Sequence, residues 1–261
     1  MTDMATPPVT LEARDGGLFA ELRLASPPRN ILDGAALAAL AAATRSLRGP
    51  DHRRARAILL AADGPSFSVG ASVAEHARAH AARMLAEFHG AVRALLDVDL
   101  PIVCAVRGQC LGGGLELAAL ATRIYAHPGA RFAQPEIRLG ALAPVASVLL
   151  PHRLGQAVAE DLLVSGRAID SAAALAVGLV SEIAEDPEAA AAAWIREALI
   201  PHSASSIRLA CRAARATLRR DLDSVLPAIE ALYVEELSPT LDAEEGVRAF
   251  LDKREPRWED R

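Results

Sequence analysis

The sequence contains few aromatic residues and few cysteines. Phe, Trp and Tyr make up 3% of the 261 residues, whereas 52% are hydrophobic, so the core depends on aliphatic side chains and closely packed, alanine-rich helices. The cysteines Cys104, Cys110 and Cys211 are odd in number and lie in apolar or helical surroundings. This pattern predicts reduced core thiols in a cytoplasmic protein rather than a disulfide framework.

Long hydrophobic runs are also missing. No run approaches the roughly 18–20 residues that a membrane-spanning helix needs, so we expect no membrane partner. Residues 1–10 have neither a basic start nor an apolar segment, which predicts a loose tail and no secretory signal. The net charge of -5 argues against nucleic-acid binding by the whole chain.

Strand and helix signals alternate over the first two-thirds of the chain, and helices fill the last third. Strands are predicted at Thr10–Arg14, Leu18–Leu24, Ala55–Ala61, Ile102–Val106, Arg123–Ala126 and Ala130–Ala133. Asp33 is placed to N-cap a helix over Ala35–Leu47, and a second helix is predicted over 76–97. This order favours an α/β core at 1–195 followed by a C-terminal helical region at 196–261.

The stretch from Pro101 to Leu120 combines a strand, three consecutive glycines and a helix start. The strand Ile102–Val106 is apolar throughout, as expected of a strand buried on both faces. The glycines Gly112–Gly114 then lead into the helix, whose first N–H groups have no acceptor within the helix. Such a turn can bind a negatively charged oxygen.

Two glutamates lie in poorly solvated positions. Glu116 falls in the first turn of that helix, and Glu136 follows Gln134-Pro135. Two such carboxyls suit general acid–base chemistry on a water molecule. The alternative is that each only caps a helix or pairs with an arginine such as Arg107 or Arg138, and the residues alone leave both possibilities open.

The small-residue turn Gly70-Ala71-Ser72 follows a buried strand and could supply a second backbone N–H, completing an oxyanion hole. Segments of this kind more commonly form an ordinary strand-to-helix turn.

His76 and His80 have the spacing of metal ligands, but no glutamate follows the first histidine, so a solvated helix face is the favoured interpretation. We therefore predict no metal.

The segment Arg208–Arg220 is rich in arginine. It could attract nucleic acid, but an amphipathic helix with a charged face is favoured, and a subunit contact is one place for such a face. No Gly-Lys-Ser/Thr follows the triple glycine, and no nucleophile-elbow pattern surrounds the serines, so neither a P-loop nor a serine hydrolase is indicated.

Three motifs, SFSVGAS, VRGQCLGGGLELA and RFAQPEIRLG, occur in an order and spacing that resemble the crotonase (enoyl-CoA hydratase) superfamily. The resemblance covers nearly the whole chain. It implies a spiral of ββα units with a C-terminal helical region that builds trimers, usually paired into hexamers. It also implies an acyl-CoA substrate, with no separate cofactor because coenzyme A is part of that substrate.

The resemblance assigns roles to particular residues. It implies that the N–H groups of Ala71 and Gly113 bind the thioester oxygen, and that Glu116 and Glu136 hold and deprotonate water. Because both glutamates are present, water addition is favoured over other reactions of the superfamily. The coenzyme A arm is expected along Arg29, Ala71, Ser72, Val73 and Ala74, while Phe250 and Lys253 are expected to reach a neighbouring subunit's coenzyme A.

The chain departs from common enoyl-CoA hydratases after the second glutamate. It reads GALAPVASVLLPHRLGQ where those enzymes usually have a Pro-Gly-Ala-Gly-Gly-like run. We expect Ala143, Pro144 and Val145 to shape the substrate pocket. This departure resembles the branch of the family that hydrates a cyclic dienoyl-CoA in anaerobic degradation of aromatic compounds. A hydratase for linear or cyclohexenoyl-CoA thioesters, or a non-catalytic CoA- or RNA-binding relative, remains as an alternative.

Overall fold

The fold is built around two β-sheets, and the computed structural model describes residues 7–261. The strands are β1 Val9–Arg14, β2 Phe19–Leu24, β3 Ile58–Ala62, β4 Ile102–Val106, β5 Gln109–Leu111, β6 Arg123–Ala126, β7 Arg131–Ala133, β8 Ile169–Asp170 and β9 Glu182–Ile183. A mostly parallel six-stranded sheet has the order β1-β2-β3-β4-β6-β9, in which β1 and β2 are the antiparallel pair. A smaller sheet has the order β5-β7-β8.

Helices connect these strands and then form the C-terminal region. The α-helices are α1 Gly34–Ser46, α2 Arg78–Asp97, α3 Gly113–Ala119, α4 Pro144–Leu154, α5 Gln156–Ser165, α6 Ser171–Ala176, α7 Pro187–Trp194, α8 Ala204–Ala214, α9 Ala216–Ser224, α10 Leu226–Ala231 and α11 Leu241–Leu251. Short 3-10 helices at Val73–His76 and Pro135–Leu139 border the site described below, and a π-helical segment covers Leu232–Leu237.

Both faces of the sheet are buried. Alternate residues of a strand point to opposite faces, so Ile58 and Leu60 of β3 join the main core, whereas Leu59 packs in a second cluster with Ala191 and Ile195. All three strand residues are almost fully buried. The buried strands predicted from the sequence are therefore confirmed, and α7 is the element that covers the second face.

Four arginines of the segment Arg208–Arg220 bind inward, to the end of α2 and the loop before β4. Arg212 and Arg219 both bind the buried carboxylate of Asp99, through bonds of 2.7 and 2.6 Å. Arg208 donates to the Val98 carbonyl at 2.7 Å and Arg215 to the Leu100 carbonyl at 3.0 Å. These side chains anchor the C-terminal helices to the core, so they do not form the free basic surface that nucleic-acid binding would need.

Several predicted boundaries differ in the structure. A tail was predicted over residues 1–10. Residues 1–6 of it lie outside the described residues, while Val9 and Thr10 belong to β1. The helix predicted over 76–97 begins at Arg78, because Ala77 has an extended ψ of 139°. Strand β5 was not predicted. Within residues 7–261, no helix is long and apolar enough to cross a membrane.

The predicted N-cap of α1 is confirmed: Asp33 accepts a hydrogen bond of 2.9 Å from the Ala36 N–H. We expect Asp33→Ala to lower the free energy of unfolding by about 1 kcal/mol, because one N–H at the helix start loses its acceptor. Urea unfolding measures this. Asp51→Ala is the control, since the exposed Asp51 makes no cap bond, and an equal loss in both variants would contradict the capping role.

Candidate active site

Two glycine-containing turns touch each other at the centre of the site. Gly70 has a φ of 94°, and Gly112, between β5 and α3, has a φ of 51°. A Cβ on Gly70 would lie 2.9 Å from the Leu111 carbonyl oxygen and 3.2 Å from the Gly113 nitrogen. Glycine is required at Gly70 for both reasons, since a side chain would strain the backbone and push the turns apart.

This contact brings two backbone donors side by side. Ala71 follows Gly70, and Gly113 is the first residue of α3, where a helix N–H has no acceptor within the helix. Within residues 7–261 neither N–H has an acceptor in the turn, loop and side-chain hydrogen bonds. Two free donors that converge in this way can bind an oxygen on which negative charge develops.

Asn30 and Ser68 hold the Gly70 turn in place. Asn30 is buried with a φ of 47° and donates to the carbonyls of Asp63 and Ser66 at 2.8 and 2.9 Å. The Ser68 hydroxyl donates to the Asn30 carbonyl at 2.8 Å and accepts from the Gly70 N–H at 3.1 Å. Sequence reasoning missed both residues. The asparagine after Pro-Pro-Arg was the available signal, because asparagine tolerates a positive φ.

Glu116 is buried in α3, with 5% of its surface exposed. Its Oε1 accepts a 2.7 Å hydrogen bond from the backbone N–H of Ala146, in the first turn of α4. Burial raises the pKa of Glu116, because the charged form loses its hydration, and the N–H groups of Ala146 and Val145 oppose that rise. The start of α4 thus holds the carboxyl of Glu116 in place through its Oε1 atom.

Glu136 lies in the 3-10 helix after β7, and its carboxyl covers the glycine turn. A Cβ on Gly112 would lie 2.6 Å from Glu136 Oε1. With its amide oriented to satisfy both partners, Gln134 donates to Glu136 Oε2 at 3.1 Å and to the Gly112 carbonyl at 3.2 Å. Burial raises the pKa of Glu136, and the negative charge of Glu116 raises it further.

Neither carboxyl forms an ion pair with an arginine in the described part of the chain. Arg107, one candidate partner, binds Asp186 instead. Burial raises both pKa values, and the charge of Glu116 adds to the rise at Glu136, so the pair keeps a proton at a pH where an exposed carboxyl is ionised. A carboxyl pair of this kind can take a proton from water and return it to another atom.

A cavity of about 560 Å³ opens at this site, and Ala71, Gly112 and Glu136 border it. Glu136, not Glu116, is the carboxyl on its lining. The five residues expected along the coenzyme A arm all line it: Arg29, Ala71, Ser72, Val73 and Ala74.

Other predicted residues lie elsewhere. Of the two residues expected to reach a neighbouring subunit's coenzyme A, Phe250 borders the cavity of its own chain and Lys253 is not part of that lining. The predicted pocket residues Ala143, Pro144 and Val145 are buried outside the lining, at the start of the helix that binds Glu116.

The cavity also has lining residues that sequence reasoning did not select. Arg138 adds positive charge, Arg254 is paired with Glu245, and His76 lines the cavity together with Ala71. His76 is half-buried, so its assignment to a solvated helix face is wrong, whereas His80 is exposed as expected. Among residues 7–261, no cluster of three or more His, Cys, Asp or Glu side chains could hold a metal ion.

The fold, the paired backbone donors and the two buried carboxyls agree with the family match. The enoyl-CoA hydratase/isomerase family model matches residues 16–261, and the chain belongs to that family. The crotonase fold is confirmed. A crystal structure of an enoyl-CoA hydratase from Mycobacterium avium superposes with a TM-score of 0.85 at 27% identity, covering 97% of this chain and 99% of the other.

Two relatives give more detail. The chain is 51% identical to the cyclohexa-1,5-dienecarbonyl-CoA hydratase of Thauera aromatica, in an alignment of 264 positions that covers the full length of both proteins. It is 34% identical over 205 residues to a probable enoyl-CoA hydratase of Mycobacterium bovis, covering 77% of this chain and 79% of the relative. The chain is accordingly a hydratase that acts on acyl-CoA thioesters.

The raised pKa values predict a pH-dependent stability. In the unfolded chain both glutamates titrate near their ordinary pKa of about 4.3. Because the folded pKa values are higher, the protonated pair stabilises the fold fully below that value, and this contribution is lost as pH rises through the folded pKa values.

We therefore expect the unfolding free energy of the wild type to fall, relative to that of the double variant Glu116→Gln/Glu136→Gln, between about pH 5 and about pH 9. Urea unfolding at a series of pH values measures the difference. Curves that stay parallel over this range would show that the carboxyls ionise as in the unfolded chain.

Gly112 offers a second test, because its missing side chain makes room for the Glu136 carboxyl. We expect Gly112→Ala to lower kcat for acyl-CoA hydration at least about tenfold, since a shift of the catalytic group on the order of 1 Å is costly. Gly90→Ala is the control: Gly90 is exposed in α2 with nothing within 4 Å of a new Cβ. Unchanged kcat in a folded Gly112→Ala enzyme would contradict the assigned geometry.

Proposed function

We propose that this chain hydrates cyclohexa-1,5-diene-1-carbonyl-CoA to 6-hydroxycyclohex-1-ene-1-carbonyl-CoA. The observation that carries the proposal is the buried pair Glu116 and Glu136 beside two free backbone donors. The full-length identity of 51% to a hydratase named for this substrate supports the choice within the family.

The backbone donors begin the reaction. The N–H groups of Ala71 and Gly113 bind the thioester oxygen and stabilise the charge that grows on it as water attacks the β-carbon. Each such donor typically contributes about 3 kcal/mol to the stabilisation of a transition state. The new C–O bond forms as the ring double bond next to the thioester gives up its electron pair toward that oxygen.

The carboxyl pair then moves one proton. Glu116 and Glu136 hold the attacking water, and the one that is ionised takes a proton from it. The resulting dienolate is conjugated with the second ring double bond, so it accepts this proton at the far end of the diene. All atoms of the water are then in the product, and the pair returns to its starting state with one shared proton.

Cations near the cavity suit the phosphates of coenzyme A. Arg29 and Arg138 border the cavity and form no ion pair among the described residues, so their charge is available to a ligand. Phe250 is 55% exposed on the same lining and offers an aromatic face to the adenine. Lys253 lies outside the lining and would reach coenzyme A only from a neighbouring subunit.

Further properties follow from membership of the family. We propose that the chain assembles as a trimer or a dimer of trimers through its C-terminal helices. Several large apolar residues remain exposed on these helices, including Leu209, which is 60% exposed on α8. We also propose a cytoplasmic enzyme of anaerobic benzoyl-CoA degradation that needs no separate cofactor.

A hydratase for linear or cyclohexenoyl-CoA thioesters would use the same carboxyls, and family members named only as enoyl-CoA hydratases favour it. A non-catalytic RNA-binding relative would need a free basic surface, but four arginines of the segment Arg208–Arg220 are bonded to the core.

The substrate is tested by offering purified enzyme crotonyl-CoA and cyclohexa-1,5-diene-1-carbonyl-CoA in parallel. We expect kcat/KM to be higher for the cyclic dienoyl-CoA, and a strong preference for crotonyl-CoA would reject our choice. In Glu116→Gln and Glu136→Gln variants we expect kcat to fall by about 10²- to 10⁴-fold, because each loses proton transfer. If both variants kept the wild-type rate while folded, the carboxyl pair would not be catalytic.

A further inference from the structure

A histidine and a tyrosine form a hydrogen-bonded pair in the wall of the cavity, and neither has a role in the mechanism above. His76 ends the 3-10 helix at Val73–His76, and Tyr233 lies in the π-helical segment after α10. The His76 Nδ1 and the Tyr233 hydroxyl are 2.8 Å apart. Tyr233 is only 2% exposed, so this bond satisfies a hydroxyl that has no access to bulk water.

The protonation states of the pair follow from burial. Burial lowers the pKa of His76 to about 4, so the imidazole is neutral near pH 7. Burial also raises the pKa of Tyr233, and the charge of Glu136 raises it further, so the phenol keeps its proton. The tyrosine therefore donates, the His76 Nδ1 accepts, and the proton of the neutral ring lies on Nε2.

His76 borders a ligand-sized space, and one of its ring nitrogens is left for a ligand. His76 lines the same cavity as Ala71 and Glu136, and its Nε2 has no protein partner within residues 7–261. Tyr233 belongs to a buried hydrophobic cluster against which Ala71 and Leu139 pack, and Leu139 ends the 3-10 helix that carries Glu136. The pair thus lies in the wall of the cavity that Ala71 and Glu136 also border, and it presents one uncharged N–H donor.

We propose that His76 is a substrate-binding residue whose Nε2–H donates a hydrogen bond to the oxygen that water adds to the acyl group. Tyr233 fixes the ring tautomer that makes this possible. The thioester oxygen is a less suitable acceptor, because Ala71 and Gly113 already supply its two donors. The inference rests on the proposed function, since it requires a hydroxylated acyl-CoA as a ligand.

Two amide variants distinguish the roles of the two nitrogens of the His76 ring. His76→Asn places an amide near the Nδ1 position and keeps a partner for Tyr233, but removes the donor toward the cavity. His76→Gln extends its amide to the Nε2 position and keeps that donor. The exposed His80, which does not line the cavity, provides the matched control His80→Asn.

Calorimetric titration with 6-hydroxycyclohex-1-ene-1-carbonyl-CoA and with cyclohex-1-ene-1-carbonyl-CoA tests the inference without turnover. We expect the wild type to bind the hydroxylated ligand more tightly. The ratio of the two Kd values should shrink about fivefold in His76→Asn, as expected for one lost hydrogen bond, and stay near wild type in His76→Gln and His80→Asn.

Other outcomes would overturn the inference. An unchanged ratio in His76→Asn would show that His76 does not contact the added oxygen. Equal weakening of both ligands would mean that His76 contacts the shared coenzyme A arm or only supports the fold. If the wild type bound neither cyclic ligand but bound crotonyl-CoA, the proposed substrate would be wrong, and 3-hydroxybutyryl-CoA against butyryl-CoA would then serve as the ligand pair.

Discussion

The contact between the Gly70 turn and the turn at Gly112–Gly113 is the constraint on which the site depends. It sets the spacing of two backbone donors that come from distant parts of the chain. Because each turn needs a conformation or a closeness of approach that only glycine allows, the donors are fixed before any ligand arrives. Fixed donors stabilise a developing charge without reorganisation, which is the largest single contribution in many enzymes.

The same glycines bring the acid–base groups into place. The absent side chain at Gly112 leaves room for the Glu136 carboxyl, and Glu116 follows one helical turn after the glycines. Burying two carboxyls together is unfavourable unless they share a proton or gain hydrogen bonds. The N–H of Ala146 and the amide of Gln134 supply such bonds, so both carboxyls can be buried. Their burial raises the pKa of each.

Local patterns were sufficient to predict much of the fold. The apolar run Ile102–Val106, the alternation in β2 and the capping Asp33 each predicted an element that the structure contains. Strand β5 escaped prediction because its partner, β7, lies about twenty residues further on and pairing of this kind leaves no local periodicity.

The site was predictable only in part. The two glutamates were evident, because a carboxylate in an apolar segment needs an explanation. The part that α4 plays at Glu116 was not evident, since the bond from the Ala146 N–H to Glu116 joins residues 30 positions apart. That Ala143, Pro144 and Val145 shape the substrate pocket stays a prediction. His76 was misassigned because its burial depends on Tyr233, which is 157 positions away in the sequence.

In the proposed reaction, two backbone donors and two carboxyls act on the same acyl-CoA. A crystal structure with a bound acyl-CoA product analogue tests this most directly, because it shows where the thioester and the ring lie. We expect the thioester oxygen to lie about 2.7–3.1 Å from the nitrogens of Ala71 and Gly113, with the hydroxyl-bearing carbon facing Glu116 and Glu136. A thioester bound away from both nitrogens, or a ring turned away from the carboxyls, would contradict it.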